Sequence, residues 1–354
     1  MLSFQRIPAA KILSGLILCT TVFLAGCAGS PSPMAPASPN ATTIYNLTVI
    51  VFVIAAAVFI VVEGMLFFSV IRFSRKQSPG EPEQIEGNTK FEIAWTAAPA
   101  IVLLIVFFVS LQALFPLAST PITRTGKTTG SGALGVNVGQ TETLQVRIIA
   151  HQWWWEFVYP DLKITTANEM HVPVGAIVTA DLEAIDVIHS FWVPQLAGKT
   201  DVIPGRVNQT WFQVAQPGTF RGQCAEFCGI QHANMRFEVV AESQEQFQAW
   251  VRQQQSAPTP KTGVAAKGEQ IFMSSACIGC HTVDGTKAQG KTGPNLTRFG
   301  GRRYLAGAIM ENTSENLARW LANPQGVKPG ALMPNLNLSQ DQINALVAYL
   351  ESLK

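Results

Sequence analysis

Two long apolar runs dominate the first third of the chain. The first extends from Ile44 to Ile71 and contains a single charged residue, Glu63, whereas the second extends from Trp95 to Leu117 and contains none. Each run exceeds the about 20 residues that an α-helix needs to cross a bilayer. The segment between them carries the basic residues Arg72, Arg75, Lys76 and Lys90. Because basic residues stay on the cytoplasmic side, the pattern predicts a transmembrane hairpin over residues 44–118 with both ends outside the cell.

The first 27 residues have the pattern of a secretory signal. Basic Arg6 and Lys11 precede an apolar stretch, which ends in Leu-Ala-Gly-Cys at Cys27. This ending resembles a bacterial lipobox, in which the cysteine is lipidated and becomes the mature N-terminus. An ordinary signal peptide or a membrane helix is the alternative. We therefore expect a signal peptide over residues 1–27, followed by an uncharged linker rich in Ser, Pro and Ala over residues 28–43.

The pattern changes after a linker rich in Gly and Thr at residues 119–142. Short runs of alternating apolar and polar residues fill residues 143–252, and Gly- and Pro-containing turns separate them. Such alternation is typical of an all-β sandwich. A second linker at residues 253–264 leads to residues 265–354, where short helical patterns predict an all-α domain.

Composition narrows the class of protein. Hydrophobic residues make up 47% of the chain and charged residues only 14%, against about 25% charged residues in a typical soluble domain. A net charge of +2 gives no general attraction to nucleic acid. The charge is unevenly distributed, because residues 143–252 carry a net charge of −4 and residues 261–354 carry +4.

A cluster of soft ligands lies near the end of the β region. Cys224, Cys228, His232 and Met235 fall within 12 residues, and His189 lies 35 residues before Cys224. Thiolate and thioether sulfur favour copper, and two thiolates can bridge two copper ions that each take one histidine and one weak ligand. A Cys224–Cys228 disulfide or a structural zinc site remains open, although a disulfide does not account for His189 and Met235.

A second cofactor motif lies in the C-terminal region. Cys277, Cys280 and His281 form a Cys-x2-Cys-His sequence, which attaches haem c through two thioethers and supplies the proximal histidine. Met333 lies 52 residues after His281 and directly precedes Pro334. It is the expected distal ligand, and Met310 is its competitor. Histidine and methionine ligation together raise the potential of the haem.

Residues 44–252 resemble subunit II of haem–copper cytochrome c oxidases, whose β domain holds the binuclear copper centre CuA. The resemblance rests on the Cys-x3-Cys-x3-His-x2-Met spacing, on the His-Ser-Phe-Trp-Val-Pro segment and on residues 198–206. It implies a multidomain chain with a transmembrane helix hairpin, a cupredoxin-like β-sandwich and a cytochrome c domain. The copper ligands that it implies are His189, Cys224, the backbone carbonyl of Glu226, Cys228, His232 and Met235.

The same resemblance implies roles for three further positions. The Glu226 side chain would lie near a magnesium ion shared with the catalytic subunit. Trp153, in the segment Gln-Trp-Trp-Trp, would receive the electrons that reach CuA, whereas Trp155 on the same strand face would pack in the core. Glu92, at the cytoplasmic start of the second helix, would take part in proton uptake. An aromatic core stripe and an ordinary helix-start carboxylate are the alternatives for these positions.

The combined pattern is that of subunit II of a caa-type oxidase with its cytochrome c donor fused to it. This resemblance implies electron flow from haem c to CuA and on to a haem of subunit I, where oxygen reduction is coupled to proton pumping. It also implies contact with membrane lipid, subunit III and a donor cytochrome or quinol:cytochrome c reductase, with both metal domains outside the bacterial membrane. An electron carrier for another reductase, such as nitric oxide reductase, and a copper-delivery or sensor lipoprotein are the alternatives. His151 and His171 have no companions at ligand spacing and are expected to be structural, and Glu63 has no assigned role.

Overall fold

The computed structural model describes residues 31–73, 86–118, 143–257 and 259–354. The predicted signal segment with Cys27, part of the segment between the apolar runs and the linker at 119–142 lie outside the described residues.

Two long helices, α1 (Pro39–Phe73) and α2 (Thr89–Ala118), contact each other and form the N-terminal part. Their most apolar stretches have mean hydropathies of 2.9 and 2.6, and large side chains on all sides are exposed, such as Phe52 at 74%. Helices that are apolar all round require an apolar solvent. Both are therefore long and apolar enough to cross a membrane.

Helix α1 begins five residues before the predicted start of the apolar run. Ser38 precedes it, and its hydroxyl accepts a hydrogen bond from the Ala41 amide at 2.9 Å. A serine at this position satisfies one of the free amides of the first turn. Capping, rather than hydropathy, therefore determines where the helix begins.

The middle region is a sandwich of two five-stranded sheets. The first sheet has the order β3-β2-β1-β5-β8 and the second has the order β4-β10-β9-β6-β7. The first sheet consists of β1 (Thr143–His151), β2 (Trp154–Tyr159), β3 (Ile164–Ala167), β5 (Ile177–Ala184) and β8 (Asn208–Gln213). The second consists of β4 (Glu169–Pro173), β6 (His189–Trp192), β7 (Thr200–Val202), β9 (Gly218–Cys224) and β10 (Arg236–Glu242).

Aromatic side chains of β2 fill the space between the sheets. Trp155, Phe157 and Tyr159 are all fully buried, as expected for alternate residues on one face of a strand. Trp153 differs from the prediction, because it lies in the turn before β2 and not on the strand. His151 pairs with Trp154 across the β1–β2 hairpin, which leaves Gln152 and Trp153 as the two turn residues.

Helix α3 (Gln244–Gln255) closes the sandwich and leads to the C-terminal helical domain. This domain contains α4 (Gly263–Ser274), α5 (Cys277–Cys280), α6 (Ser314–Ala322), α7 (Pro324–Val327) and α8 (Gln340–Glu351), with a small hairpin of β11 (Tyr304–Leu305) and β12 (Met310–Glu311). Helices α4 and α8 cross closely at Gly268, where a Cβ atom would lie 1.9 Å from the Ala345 carbonyl oxygen. The structure confirms the predicted order of parts along the chain, which is two apolar helices, a β-sandwich and a helical C-terminal domain.

Candidate metal centres

The predicted copper ligands converge at one end of the second sheet. His189 is the first residue of β6, Cys224 is the last residue of β9, and Cys228 lies in the loop that follows. His232 begins a 3₁₀ turn, and Met235 directly precedes β10. Because β6 and β9 are paired neighbours, residues 35 positions apart in the sequence meet at this edge.

The two thiols lie at the centre of this cluster. The Sγ atoms of Cys224 and Cys228 are 3.7 Å apart, whereas a disulfide bond requires about 2.05 Å. His189 Nδ1 lies 3.9 Å from Cys224 Sγ, and His232 Nδ1 lies 3.7 Å from Cys228 Sγ. Each sulfur atom thus has one imidazole nitrogen of its own. The disulfide alternative does not describe this arrangement.

Further donor atoms complete the cluster. Met235 Sδ lies 3.8 Å from Cys228 Sγ, and the carbonyl oxygen of Glu226 lies 3.1 Å from Cys224 Sγ. The Glu226 side chain is exposed. A hydrogen bond from the Cys228 thiol, opposed by burial, lowers the pKa of Cys224. Two thiols, two imidazoles, a thioether and a carbonyl are the soft donor set that fits copper.

Asp186 is a functional residue that the sequence analysis missed. Its Oδ1 atom lies 2.8 Å from His189 Nε2, so that Nδ1 of the same ring is directed to the thiols. The amides of Gln152 and Val187 donate to the same carboxylate at 2.6 and 2.7 Å. A carboxylate bound to the outer nitrogen of a metal-ligating histidine is a general feature of metal sites. In the sequence, its position three residues before His189 was the feature that could have indicated this role.

The haem motif lines a cavity in the C-terminal domain. Cys277, Cys280, His281 and Met333 all lie on its wall, together with apolar side chains of α4, α6 and α8. Met310, the competing methionine, is not among the lining residues and packs against the domain core. The residues present therefore fit a haem c group with two thioether attachments and one methionine within reach.

His281 is held in one orientation within this cavity. Its Nδ1 atom lies 2.8 Å from the Pro294 carbonyl oxygen, which leaves Nε2 free for a metal. Burial lowers the pKa of His281 and thus favours the neutral form that metals bind. Pro294 belongs to a short loop with Thr292 and Gly293, and all three residues line the cavity.

The haem cavity extends to the β domain. Gln152, Trp153 and Trp154 line it from the other side of the domain boundary. The indole N–H of Trp153 donates a hydrogen bond of 2.9 Å to the carbonyl of Cys228, and the side-chain amide of Gln152 donates one of 2.8 Å to the same oxygen. Trp153 therefore lines the haem cavity and is hydrogen-bonded to the backbone of a residue of the thiol cluster.

The remaining candidates lie apart from these two centres. His151 contacts Glu156 at 3.0 Å and stacks on Trp154, and His171 lies between the carboxylates of Glu169 and Glu242. Glu92 lies in the first turn of α2, and Glu63 is half-buried within α1.

Comparisons with known proteins identify three regions of the chain. Residues 34–113 match the family of the cytochrome c oxidase subunit II transmembrane domain, residues 162–243 match its periplasmic domain, and residues 265–354 match cytochrome c. Together these matches cover most of the chain and follow the order of its structural parts.

Whole-chain relatives agree with this assignment. Cytochrome c oxidase subunit 2 of Alkalihalophilus pseudofirmus is 38% identical over 339 residues and 94% of each chain is covered. The protein of the same name from Bacillus sp. strain PS3 is 42% identical over 286 residues, with 77% of each chain covered.

A solved structure is also similar to part of the chain. The periplasmic domain of subunit II of cytochrome oxidase (CoxB) from Bradyrhizobium japonicum is 35% identical, with 31% of this chain and 92% of that chain covered and a TM-score of 0.31.

The family matches imply a CuA copper centre in the β domain and haem c in the C-terminal domain, which are the cofactors that the two donor sets fit. The chain belongs to the cytochrome c oxidase subunit II family and carries a cytochrome c domain at its C-terminal end.

Proposed function

We propose that this subunit passes electrons from its cytochrome c domain to its β domain and on to subunit I of a proton-pumping oxidase. When bound, haem c and the two copper ions supply one-electron redox chemistry. In this proposal His189, Cys224, Glu226, Cys228, His232 and Met235 hold the copper ions, and Cys277, Cys280, His281 and Met333 hold the haem. The proposed assembly also includes subunit III, a separate electron donor and a magnesium ion near Glu226. Membrane lipid surrounds the helices, and Cys27 is lipidated.

The position of Trp153 is the observation that carries this proposal. Trp153 lines the haem cavity, and its indole N–H donates a hydrogen bond to the backbone carbonyl of the proposed copper ligand Cys228. This one residue therefore lies between the two cofactor sites. We infer that Trp153 is the residue through which electrons reach the copper cluster, whereas fully buried Trp155 serves the core.

Opposite charges meet where the two outer domains touch. The Arg303 amide donates a 3.1 Å hydrogen bond to Glu169 Oε2, and the Arg303 guanidinium lies 3.8 Å from the carboxylate of Glu238. Glu238 is nearly inaccessible to solvent. This contact agrees with the opposite net charges of the two domains, which favour their association.

Met333 is the proposed distal ligand of the haem iron. Replacing it with alanine is expected to abolish the absorption spectrum of a low-spin, methionine-ligated haem, because alanine offers no donor atom. The matched Met310→Ala variant is expected to keep this spectrum. Absorption spectroscopy of both purified variants makes the comparison, and an unaltered spectrum in Met333→Ala would transfer the assignment to Met310.

Glu92 is proposed to assist proton uptake at the cytoplasmic start of α2. The substitution Glu92→Gln keeps the size of the side chain but removes its ability to release a proton. We expect slower oxygen turnover with unchanged copper and haem content, measured by oxygen consumption and metal analysis. Glu63→Gln, within α1, is the control for loss of a carboxylate in the membrane. Unchanged turnover in Glu92→Gln would contradict the role in proton uptake.

Isolation of the assembled complex tests the oxidase function itself. The full chain, purified in detergent with its partners, is expected to contain a haem-bearing membrane subunit and to consume oxygen when the donor haem is reduced. Both apolar runs lack histidine, so an oxygen-reducing site with histidine ligands has to come from a partner subunit. Reduction of nitric oxide without oxygen consumption would favour the alternative of a carrier for another reductase.

A further inference from the structure

A buried lysine lies at the contact between the two outer domains. Lys328 follows α7 in the cytochrome c domain, and only 3% of it is exposed. Its Nζ atom lies 2.8 Å from the carbonyl oxygen of Trp153, 2.9 Å from that of Asn234 and 3.1 Å from that of Ala306. The first two oxygens belong to the β domain, and the third belongs to the lysine's own domain.

These three carbonyls match the chemistry of an ammonium group. Lysine has three N–H donors and no acceptor, so three carbonyl oxygens satisfy all of its hydrogen bonds. Lysine is almost never buried without a partner, because an ammonium group that has lost its water is unstable unless other dipoles replace that water. Within the described part of the chain Lys328 forms no ion pair. Two of the three carbonyl oxygens that replace water around this ammonium group therefore belong to the β domain.

The two domains also meet closely in the surroundings of Lys328. Gly307 has a φ of +81°, and a Cβ atom there would lie 2.6 Å from Lys328 Nζ and 3.0 Å from the Asn234 carbonyl oxygen. The Arg236 amide of the β domain donates a 3.1 Å hydrogen bond to the Gly307 carbonyl. The buried side chain of Gln231 donates to the carbonyl of Pro329, next to the lysine. Backbone groups of both domains therefore take part in the contact around Lys328, and the fold of each domain determines their positions.

The carbonyls that bind Lys328 belong to functionally important segments. Trp153 joins the haem cavity to the thiol cluster, and Asn234 lies in the 3₁₀ turn between His232 and Met235. Lys328 itself lines the haem cavity together with Met333. One ammonium group therefore ties the wall of the haem cavity to the segment that presents two copper ligands.

We propose that Lys328 is a positioning residue that holds the cytochrome c domain in one fixed orientation on the Trp153 surface of the β domain. The docked domain also closes this surface to a separate electron donor, since Trp153 is only 9% exposed. A separate donor must then deliver its electrons to the cytochrome c domain. This consequence for electron flow rests on the proposed function, whereas the fixed docking itself does not.

Hydrogen exchange of single amides in the full, metal-loaded complex tests the docking directly. The amides of Arg236 and Arg303 donate across the domain contact, whereas those of Cys224 and Leu317 donate within their own domains. In Lys328→Met, which has a similar length but no donors, we expect the two crossing amides to exchange at least about tenfold faster. The exchange of the two internal amides should stay unchanged. Lys267→Met, on the exposed face of α4, is the matched control and should change none of them.

The viscosity dependence of electron transfer provides a second readout. In the wild type, transfer after flash reduction of the haem should not depend on solvent viscosity, because no domain movement precedes it. In Lys328→Met it should be slower and should fall with viscosity, as expected for a tethered domain that has to find its site. Failure of the proposed function would instead appear as absence of copper or haem from the wild type.

Three results would overturn the proposal. The first is rapid exchange of the Arg236 and Arg303 amides in the wild type, which requires no variant. The second is unchanged exchange of these amides in a folded Lys328→Met protein. If Lys328→Met loses its haem, Gly307→Ala is used in its place, because the added Cβ atom would lie 2.6 Å from Lys328 Nζ and displace it. The third result is unchanged exchange of the Arg236 amide in Gly307→Ala.

Discussion

Replacing Cys228 with serine is expected to remove both copper ions while leaving haem c in place. Cys228 Sγ lies within 3.8 Å of three other donor atoms, those of Cys224, His232 and Met235. A serine hydroxyl is a hard, protonated group that does not replace a bridging thiolate. Because loss of even an outer partner of a metal ligand lowers metal affinity by about 10–100-fold, loss of this central ligand should lower it more.

Metal analysis and oxygen consumption measure this effect. In the isolated subunit we expect copper to fall to background and iron to stay at one equivalent, and in the assembled complex we expect oxygen turnover to fall by at least two orders of magnitude. Met170→Leu is the matched control, because Met170 is a fully buried sulfur residue on β4 of the same domain and lies outside the cluster. A Cys228→Ser protein that kept both copper ions would contradict the ligand assignment.

Replacing Trp153 is expected to slow electron transfer between the cofactors by at least an order of magnitude. Leucine at this position removes the aromatic ring and the N–H bond to the Cys228 carbonyl. Phenylalanine restores a ring but not the hydrogen bond, so that its rate should fall between those of leucine and tryptophan. Flash reduction of the haem, followed by the appearance of reduced copper, gives the rate in each variant.

Trp154 offers the control for this experiment within the same segment. It also lines the haem cavity, but its ring stacks on His151 at a centroid distance of 3.9 Å. Trp154→Phe should therefore leave the transfer rate close to that of the wild type. Equal rates in the wild type and in Trp153→Leu, with copper and haem intact, would show that electrons use another route.

Local spacing made most of the two centres predictable. The ligands Cys224, Cys228, His232 and Met235 lie in one loop, and the haem residues Cys277 to His281 lie in one turn, so their chemistry is visible in a short stretch of sequence. The apolar runs and the alternating strands likewise follow from patterns that repeat every few residues. His189 and Met333 required long-range assumptions, because they lie 35 residues from Cys224 and 52 residues from His281.

Features that depend on contacts between distant residues were not predictable in this way. Lys328 stands in an ordinary polar stretch, and nothing in its neighbours distinguishes it from an exposed lysine. Its burial results from the approach of Trp153, 175 residues earlier. Trp153 was expected to share a strand face with Trp155, whereas the pairing of His151 with Trp154 makes it a turn residue. Opposite net charges indicated that the domains attract each other, but not which atoms meet.

The metal content and the EPR spectrum of the oxidised full chain test the central claim most directly. We predict two copper ions per haem iron and one unpaired electron shared equally by both copper nuclei, since each sulfur of the Cys224–Cys228 pair faces one imidazole. One copper ion per iron, or none, would contradict the binuclear centre and with it the proposed path of electrons through this subunit.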